Sequence, residues 1–127
     1  MKKHIIFDLD GTLINSFPIM AEAWKVVSDK FNLKITFNEY RKYTGLPFNI
    51  IMDKLNLSSS TKEIKKLYFN ETKKRSKKIK LIKGAKELIL FLNKNKYLVS
   101  IITSKPRKSF DVIKKLIPKS VNLILCN

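Results

Sequence analysis

The feature that most constrains the fold is the run from His4 to Leu13, in which an apolar stretch ends in two acidic residues. The apolar part predicts a buried strand, because strands of a parallel α/β sheet are covered on both faces. Asp8 and Asp10 follow at the carboxyl end, where such sheets bind ligands. Two carboxylates there repel each other, and a Mg²⁺ ion, which prefers carboxylate and phosphate oxygens, would balance them. The alternative is a strand that ends in a polar turn before a helix N-cap.

The length and composition indicate one small globular protein. A chain of 127 residues can bury one core, or a small core with a small lid. The longest uninterrupted apolar run, Leu88–Leu92, is far too short to span a membrane. The basic start is followed by too short an apolar run for a secretory signal, and the single cysteine, Cys126, excludes an internal disulfide. We therefore expect a soluble, cytoplasmic protein with no membrane partner.

The formal net charge of +17 raises the question of a nucleic-acid partner. The cations are 24 lysines and 3 arginines scattered along the chain, which resembles the amino-acid bias of an AT-rich genome. Specific nucleic-acid surfaces favour arginine, whose planar fork reads base edges. The densest basic run, Lys73–Lys78, falls at the end of a predicted helix, where cations suit the helix dipole. We favour a solvated helix end there over a nucleic-acid patch.

Apolar periodicity predicts three strands, over residues 3–9, 97–103 and 121–125. Residues 17–80, which lie between the first two predicted strands, are predicted to form only helices. Helix starts are predicted there at Pro18 and at two capping boxes, Thr36 with Glu39 and Ser60 with Glu63. Beyond them, Ala85, Leu88, Ile89 and Leu92 form one helix face, and a last helix runs from Pro106 to Pro118. The all-helical segment exceeds what one crossover between parallel strands requires, so it is an insertion.

A second group of polar residues follows the second predicted strand. That strand ends in Thr103, and a helix is predicted to begin within three positions, after Ser104 and Lys105. Free amide groups at such a junction bind anions, and the lysine adds positive charge. The alternative is that Ser104 serves only as a helix N-cap.

The hexapeptide Asp8–Leu13 matches the first motif of the haloacid dehalogenase-like phosphohydrolases, which the chain resembles along its whole length. The strand that ends in Thr103 is similar to the second motif of that family. The resemblance implies a phosphoglycolate phosphatase-like member. Its fold would be α/β, with a Rossmann-like parallel sheet, incomplete at the C-terminus, formed by residues 1–16 and 81–127. Residues 17–80 would form an inserted all-helical cap domain.

The resemblance also implies the chemistry. Asp8 would attack phosphorus and form an aspartyl-phosphate, and Asp10 would act as general acid and then as general base. Mg²⁺ would be held by the Asp8 carboxylate and the backbone carbonyl of Asp10. Gly11 would let the chain turn and Thr12 would fix Asp10. The phosphate-binding residues would be Gly11, Thr12, Thr103, Ser104 and Lys105, and the substrate a small phosphorylated metabolite.

Several other residues have weaker or purely structural interpretations. Asn15 stands where relatives often have aspartate. Arg41 and Lys42 could meet a substrate carboxylate, but we favour a solvated helix face for both. We expect Trp24 to be a core residue and His4 to be a strand-entry residue without a partner.

Family members also need a lysine and an acidic residue downstream of the third strand, where this chain stops. Three interpretations stay open: a phosphatase cut short, a chain that regains activity by pairing with another polypeptide, and a non-catalytic module that binds phosphate or nucleic acid. The family's missing strand would lie beside the first strand, so we expect an open apolar edge over residues 4–7 that favours self-association.

Overall fold

A computed structural model describes residues 2–127, which form two compact units. One unit contains the residues up to Ser16 together with Ile79–Asn127, and the other is Phe17–Lys78. The first unit holds a sheet of three parallel strands, β1 (His4–Phe7), β2 (Leu98–Ile102) and β3 (Leu123–Leu125), in the spatial order β1-β2-β3.

The strands are shorter than the predicted ranges because the polar turns begin early. After β1, the carbonyl of Leu9 accepts hydrogen bonds from the amides of Thr12, Leu13 and Ile14, at 3.2, 2.9 and 3.1 Å. A carbonyl turned toward its own loop in this way cannot also pair with a neighbouring strand. β1 ends at Phe7, and Leu9 lies in the loop between the two acidic residues.

The helices are α1 (Phe17–Phe31), α2 (Phe37–Arg41), α3 (Phe48–Lys54), α4 (Thr61–Lys74), α5 (Ala85–Lys94) and α6 (Arg107–Ile113). Three 3₁₀ turns cover Ser58–Ser60, Ser76–Lys78 and Lys114–Leu116. Residues 17–80 form helices and turns but no strand, as predicted. Within residues 2–127, no helix combines the length and apolar character that a membrane crossing needs.

Residues 2–127 cover one face of the sheet and leave the other largely open. Ile6, Ser100 and Leu123 lie in one row across the three strands, and Ile102 pairs with Leu125 two positions further along the same face. Four of these five residues are about half exposed: Ile6, Ile102, Leu123 and Leu125. The chain moves across the sheet in one direction, from β1 to β2 to β3. Right-handed connections of this kind place the connecting helices on the same face of the sheet, and α5 contacts β2. The opposite face, with Val99 and Ile101 on β2, is the buried one.

The helical unit has its own aromatic core around Trp24. Its indole ring is 1% exposed and lies 4.5 Å from the ring of Tyr40, and Nε1 donates to the carbonyl of Ile35 at 2.9 Å. A buried indole with its N–H satisfied contributes a large apolar area at no polar cost. The expectation that Trp24 is a core residue is confirmed. Other buried members of the core are Met20, Ala23, Val27, Phe48, Ile51, Met52, Ile64 and Tyr68.

The helix ends agree with the sequence in part. Thr36 and Glu39 form the predicted capping box at the start of α2. Ser60 makes no such cap, because it ends the 3₁₀ turn that precedes α4 and its backbone, with φ −112° and ψ 11°, is not extended. The prediction of a second capping box was therefore wrong.

Two expectations about single residues of the α/β unit were also wrong. His4 has a partner, since its Nε2 lies 2.8 Å from Oγ of Ser100 on the neighbouring strand. Leu88 is 43% exposed although helical periodicity places it beside Ile89. The buried face of α5 is narrower than predicted and consists of Ala85, Ile89 and Leu92.

Much of the basic run 73–78 is neutralised inside the helical unit. The buried Glu71 accepts from Lys74 at 2.5 Å and from Arg75 at 2.6 Å. Arg75 and Lys78 also pair with Glu22 of α1, at 2.9 and 3.0 Å. Three of the cations in this run thus tie α4 and the following turn to carboxylates of their own unit. This arrangement supports the structural interpretation of the run over a nucleic-acid patch.

Glu71 should make the stability of the helical unit depend on pH. The hydrogen bonds from Lys74, and secondarily those from Arg75, hold the pKa of the Glu71 carboxyl below its usual value of 4.5. A depressed pKa in the folded state stabilises the protein above the unfolded-state pKa, and this contribution disappears as pH falls through the folded-state pKa. We expect Glu71→Gln to lower the free energy of unfolding at pH 7 and to have little effect well below pH 4.5. Urea titrations across this range measure the difference.

The matched control is Glu63→Gln, at an exposed position of the same helix. It should leave the free energy of unfolding nearly unchanged at both pH values. An equal loss for the two variants at pH 7 would contradict the stabilising role of the Glu71 network.

Candidate active site

The loop after β1 presents two carboxylates on either side of a buried leucine. Leu9 is fully buried and anchors the loop, whereas Asp8 is exposed and the side chain of Asp10 is 19% exposed. Gly11 follows with a φ of +76°, a left-handed conformation that costs glycine little, and its amide donates to the carbonyl of Ile14 at 2.9 Å. The glycine therefore turns the chain back within one residue of Asp10.

The carboxylate of Asp8 is held by its own loop. Its Oδ1 accepts a hydrogen bond from the amide of Leu9 at 2.7 Å. This contact orients the side chain and occupies one oxygen. Because the residue is exposed, the second oxygen, Oδ2, is the one available to an incoming group.

Asp10 is held from two other segments of the α/β unit. Its Oδ1 accepts from Oγ of Ser16 at 2.6 Å and lies 3.2 Å from Nζ of Lys105. Ser16 is fully buried, and the Lys105 side chain is only 15% exposed. An ion pair this shielded is screened less by solvent than a surface pair. The hydrogen bonds to Asp10 thus come from Ser16, whereas Thr12 is exposed and its amide donates to Leu9.

Sequence reasoning missed Ser16. It lies directly before α1, at a position where a serine is expected to be a helix cap, and nothing in the sequence indicates its burial. Its spacing of six residues from Asp10 matches no short-range pairing rule. The one sequence signal for this contact was the position of Ser16, a small hydroxyl residue that follows the turn at Gly11.

The loop after β2 brings Thr103 and Lys105 to the same end of the sheet. Thr103 is buried, its amide donates to the carbonyl of Leu125, and its Oγ1 accepts from the amide of Lys105 at 3.1 Å. Ser104 is not the N-cap, because Pro106 occupies that position before α6. The helix has only seven residues, so its dipole adds little, and the local positive charge comes chiefly from Lys105.

The structure thus brings three of the predicted site residues into one connected group, from Asp10 through Lys105 to Thr103. Gly11 and Thr12 lie in the adjoining exposed turn. Among residues 2–127 there is no cluster of three or more His, Cys, Asp or Glu side chains suited to holding a metal. The described side chains therefore offer two carboxylates and a lysine, rather than a closed metal cage.

Other polar candidates have local structural roles. The guanidinium of Arg41 lies 4.2 Å from the ring centroid of Phe17, within the helical unit. Thr44 donates its hydroxyl to the carbonyl of Arg41, which closes the turn after α2. Burial raises the pKa of the Cys126 thiol, which disfavours the thiolate and hence a nucleophilic role.

Comparisons with known proteins agree with this geometry. The family model "Haloacid dehalogenase-like hydrolase" matches residues 5–121. A phosphorylated carbohydrates phosphatase from Thermotoga maritima is 28% identical over 109 residues, which cover 82% of this chain and 50% of that protein.

Solved structures show the same fold. A hydrolase from Pseudomonas syringae aligns with 99% of this chain and 61% of its own, at a TM-score of 0.87 and 22% identity. A predicted phosphoglycolate phosphatase from Haemophilus somnus aligns with 98% of this chain and 62% of its own, at a TM-score of 0.76 and 21% identity. The chain therefore spans between 50% and 62% of the length of these proteins.

The predicted Rossmann-like α/β fold is confirmed by these alignments, as is the resemblance carried by Asp8–Leu13. The family match covers the acidic loop, the inserted helices and the Thr103 loop together. We conclude that the chain belongs to the haloacid dehalogenase-like hydrolase family.

Proposed function

We propose that this protein is a cytoplasmic, Mg²⁺-dependent phosphohydrolase of small phosphate monoesters that works through an aspartyl-phosphate. The observation that carries the proposal is the 3.2 Å contact between Asp10 and Lys105. It joins the loops after β1 and β2, so that carboxylates and a phosphate-binding cation meet at the carboxyl end of a parallel sheet, the usual ligand site of such folds. The phosphatase name of the Thermotoga maritima relative supports the same reaction class.

Asp8 is the proposed nucleophile. Its Oδ1 is engaged by the amide of Leu9, which leaves Oδ2 to attack the phosphorus of the substrate. The new bond joins Oδ2 to phosphorus, and the bond between phosphorus and the ester oxygen breaks. Covalent catalysis of this kind divides one difficult displacement into two easier ones.

Asp10 is the proposed acid and base. In the first step its carboxyl gives a proton to the departing ester oxygen. In the second step its carboxylate takes a proton from the water that attacks the aspartyl-phosphate, so that inorganic phosphate leaves and Asp8 is regenerated. Proton transfer by a positioned side chain contributes about 10² to 10⁴ in rate.

The donor set fits Mg²⁺. This ion usually binds through one or two protein carboxylates, together with water and substrate phosphate oxygens, and does not need an all-protein cage. Here the exposed carboxylate of Asp8 and the backbone carbonyl of Asp10 would hold it. The side chain of Asp10 is already engaged by Ser16 and Lys105, so its carbonyl is the better ligand. When bound, Mg²⁺ would neutralise charge on the transferring phosphoryl group.

Phosphate binding is assigned to the two loops. Thr103 keeps its hydroxyl proton for donation, because its Oγ1 accepts from the amide of Lys105. Lys105 supplies the positive charge, and Ser104, Gly11 and Thr12 supply further polar groups of the same loops. The helical unit follows directly on the acidic loop in the chain, and we assign it the role of a cap that excludes water. A cap of this size favours small phosphorylated metabolites, including phosphoglycolate.

Replacement of the nucleophile tests the mechanism. We expect Asp8→Asn to reduce Mg²⁺-dependent hydrolysis of p-nitrophenyl phosphate by about three orders of magnitude or more, since the residue forms the covalent intermediate. Release of p-nitrophenol measures the rate. Asp111→Asn, an exposed aspartate of the same unit, should leave the rate unchanged. Activity that survives in Asp8→Asn would exclude Asp8 as the nucleophile.

Mg²⁺ should also stabilise the fold, because it would bind the carboxylate of Asp8. A ligand that binds only the folded state adds about 1.4 kcal/mol when its free concentration is about ten times its dissociation constant. We expect the Tm of the wild type to rise with MgCl₂ and that of Asp8→Ala to stay constant, with Asp111→Ala as the control. Equal increases in the two variants would place Mg²⁺ elsewhere on the chain.

We also propose self-association through the open side of the sheet. Within the described residues, β1 has a strand neighbour on one side only, and half-exposed Ile6 and Leu123 lie on the uncovered face. A free edge and an apolar face invite a second chain, whereas the charge of +17 opposes it. Association should therefore increase with salt, which screens the repulsion.

Sedimentation velocity measures this association. The mean mass of the wild type should rise with protein concentration at high salt, and Ile6→Lys should abolish the rise. Ile50→Lys, at an exposed position of the helical unit, is the control. A wild type that stays monomeric at every salt concentration would contradict the proposal.

A further inference from the structure

Two donors from different segments converge on one oxygen of Asp10. Ser16 donates its hydroxyl to Oδ1 at 2.6 Å, and Nζ of Lys105 lies 3.2 Å from the same atom. We call this group of three residues the Asp10 clamp. The arrangement occupies Oδ1 and leaves Oδ2 available.

From this geometry we infer that Ser16 is a positioning residue for Asp10. Together with Lys105 it fixes the rotamer of the carboxyl group, so that Oδ2 is the oxygen that gives up and takes back the proton. The inference rests on the proposed function and specifies which oxygen reacts and what holds it.

Ser16 is suited to this role by its surroundings. It is fully buried, so water does not compete for its hydroxyl, and a buried hydroxyl must find a partner. It lies beyond the turn that Gly11 opens, and the adjacent Asn15 amide donates to the carbonyl of Lys80 at 2.9 Å. The backbone next to Ser16 is therefore fixed by a hydrogen bond, and this fixes the position of the Ser16 hydroxyl.

Lys105 adds charge to the same contact. Its backbone amide is bonded to Oγ1 of Thr103, which fixes the start of its side chain. Because Nζ of Lys105 contacts Asp10, the clamp connects the loop after β2 to the loop after β1. Errors of about 1 Å in the placement of a reacting group cost about 10²-fold in rate, so a clamp of this kind has a measurable effect.

The test uses kinetics with p-nitrophenyl phosphate and Mg²⁺. Ser16 is fully buried and bonded to Asp10, so Ser16→Ala should lower kcat roughly 10- to 100-fold and leave KM unchanged. Ser16→Thr, which keeps the hydroxyl, should restore most of kcat. The matched control is Ser100→Ala, which removes another buried hydroxyl of the same unit, one bonded to His4 rather than to Asp10. It should leave kcat unchanged.

A second measurement does not depend on turnover. The chain has five aspartates, so ¹³C labelling of aspartate carboxyl carbons gives few signals, and Asp10→Asn identifies the one that belongs to Asp10. The chemical shift of the Asp10 carboxyl carbon should change in Ser16→Ala and also in Lys105→Met. The second variant keeps the test available if Ser16→Ala does not fold. The chemical shift should not change in Ser100→Ala or in Lys108→Met, which removes an exposed lysine of α6.

The outcomes separate the two proposals. An Asp10 signal that stays in place in both Ser16→Ala and Lys105→Met overturns the clamp. A moved signal with unchanged kcat shows the contact and overturns its positioning role. A wild type without turnover overturns the proposed function and with it the catalytic meaning of the clamp. Moved signals, a lower kcat at constant KM and rescue by Ser16→Thr support the inference.

Discussion

The requirement to balance negative charge at the end of β1 governs the candidate site. Asp8 and Asp10 are two positions apart, and each would be unfavourable there without a donor. The structure meets this need locally, through the amide of Leu9 for Asp8 and through Ser16 and Lys105 for Asp10. These contacts use a backbone turn, a buried hydroxyl and a lysine from the next strand. The architecture of the α/β unit is thus linked to its chemistry through a few hydrogen bonds.

The sequence predicted the parts that depend on local pattern. The apolar run before Asp8, the hexapeptide Asp8–Leu13 and the helical spacing around Trp24 were sufficient to predict the fold. The same hexapeptide and the strand that ends in Thr103 nominated residues of the two loops that the structure brings together through Lys105 and Asp10. The contact of Ser16 with Asp10 was not predictable, because the burial of Ser16 is a consequence of how separate segments pack. The contact of His4 with Ser100 was missed for the same reason, since the two residues are 96 positions apart. The capping box predicted at Ser60 does not form, because Ser60 belongs to the 3₁₀ turn that precedes α4.

The strong positive charge has a partly internal explanation. In the run 73–78, Lys74, Arg75 and Lys78 are bound to Glu71 and Glu22. Ten acidic residues cannot neutralise 27 cations, so most lysines are solvated, and they raise solubility as well as attract anions. The net positive charge attracts anions in general and is not specific for nucleic acid.

The pairing of Glu22 with Lys78 has a consequence for the way the chain folds. Because β1 pairs in register with β2, closing the sheet must bring together segments as far apart as His4 and Ser100, which is entropically costly and slow. The two ends of the helical unit lie near each other: α1 packs on α4, and Nζ of Lys78 is 3.0 Å from Oε2 of Glu22. If this unit folds first, it removes most of the loop that the sheet must close, and lowers the closure cost by about 1 kcal/mol. The inserted helices would then serve as an early folding nucleus for the strands that flank them, independently of any role in catalysis.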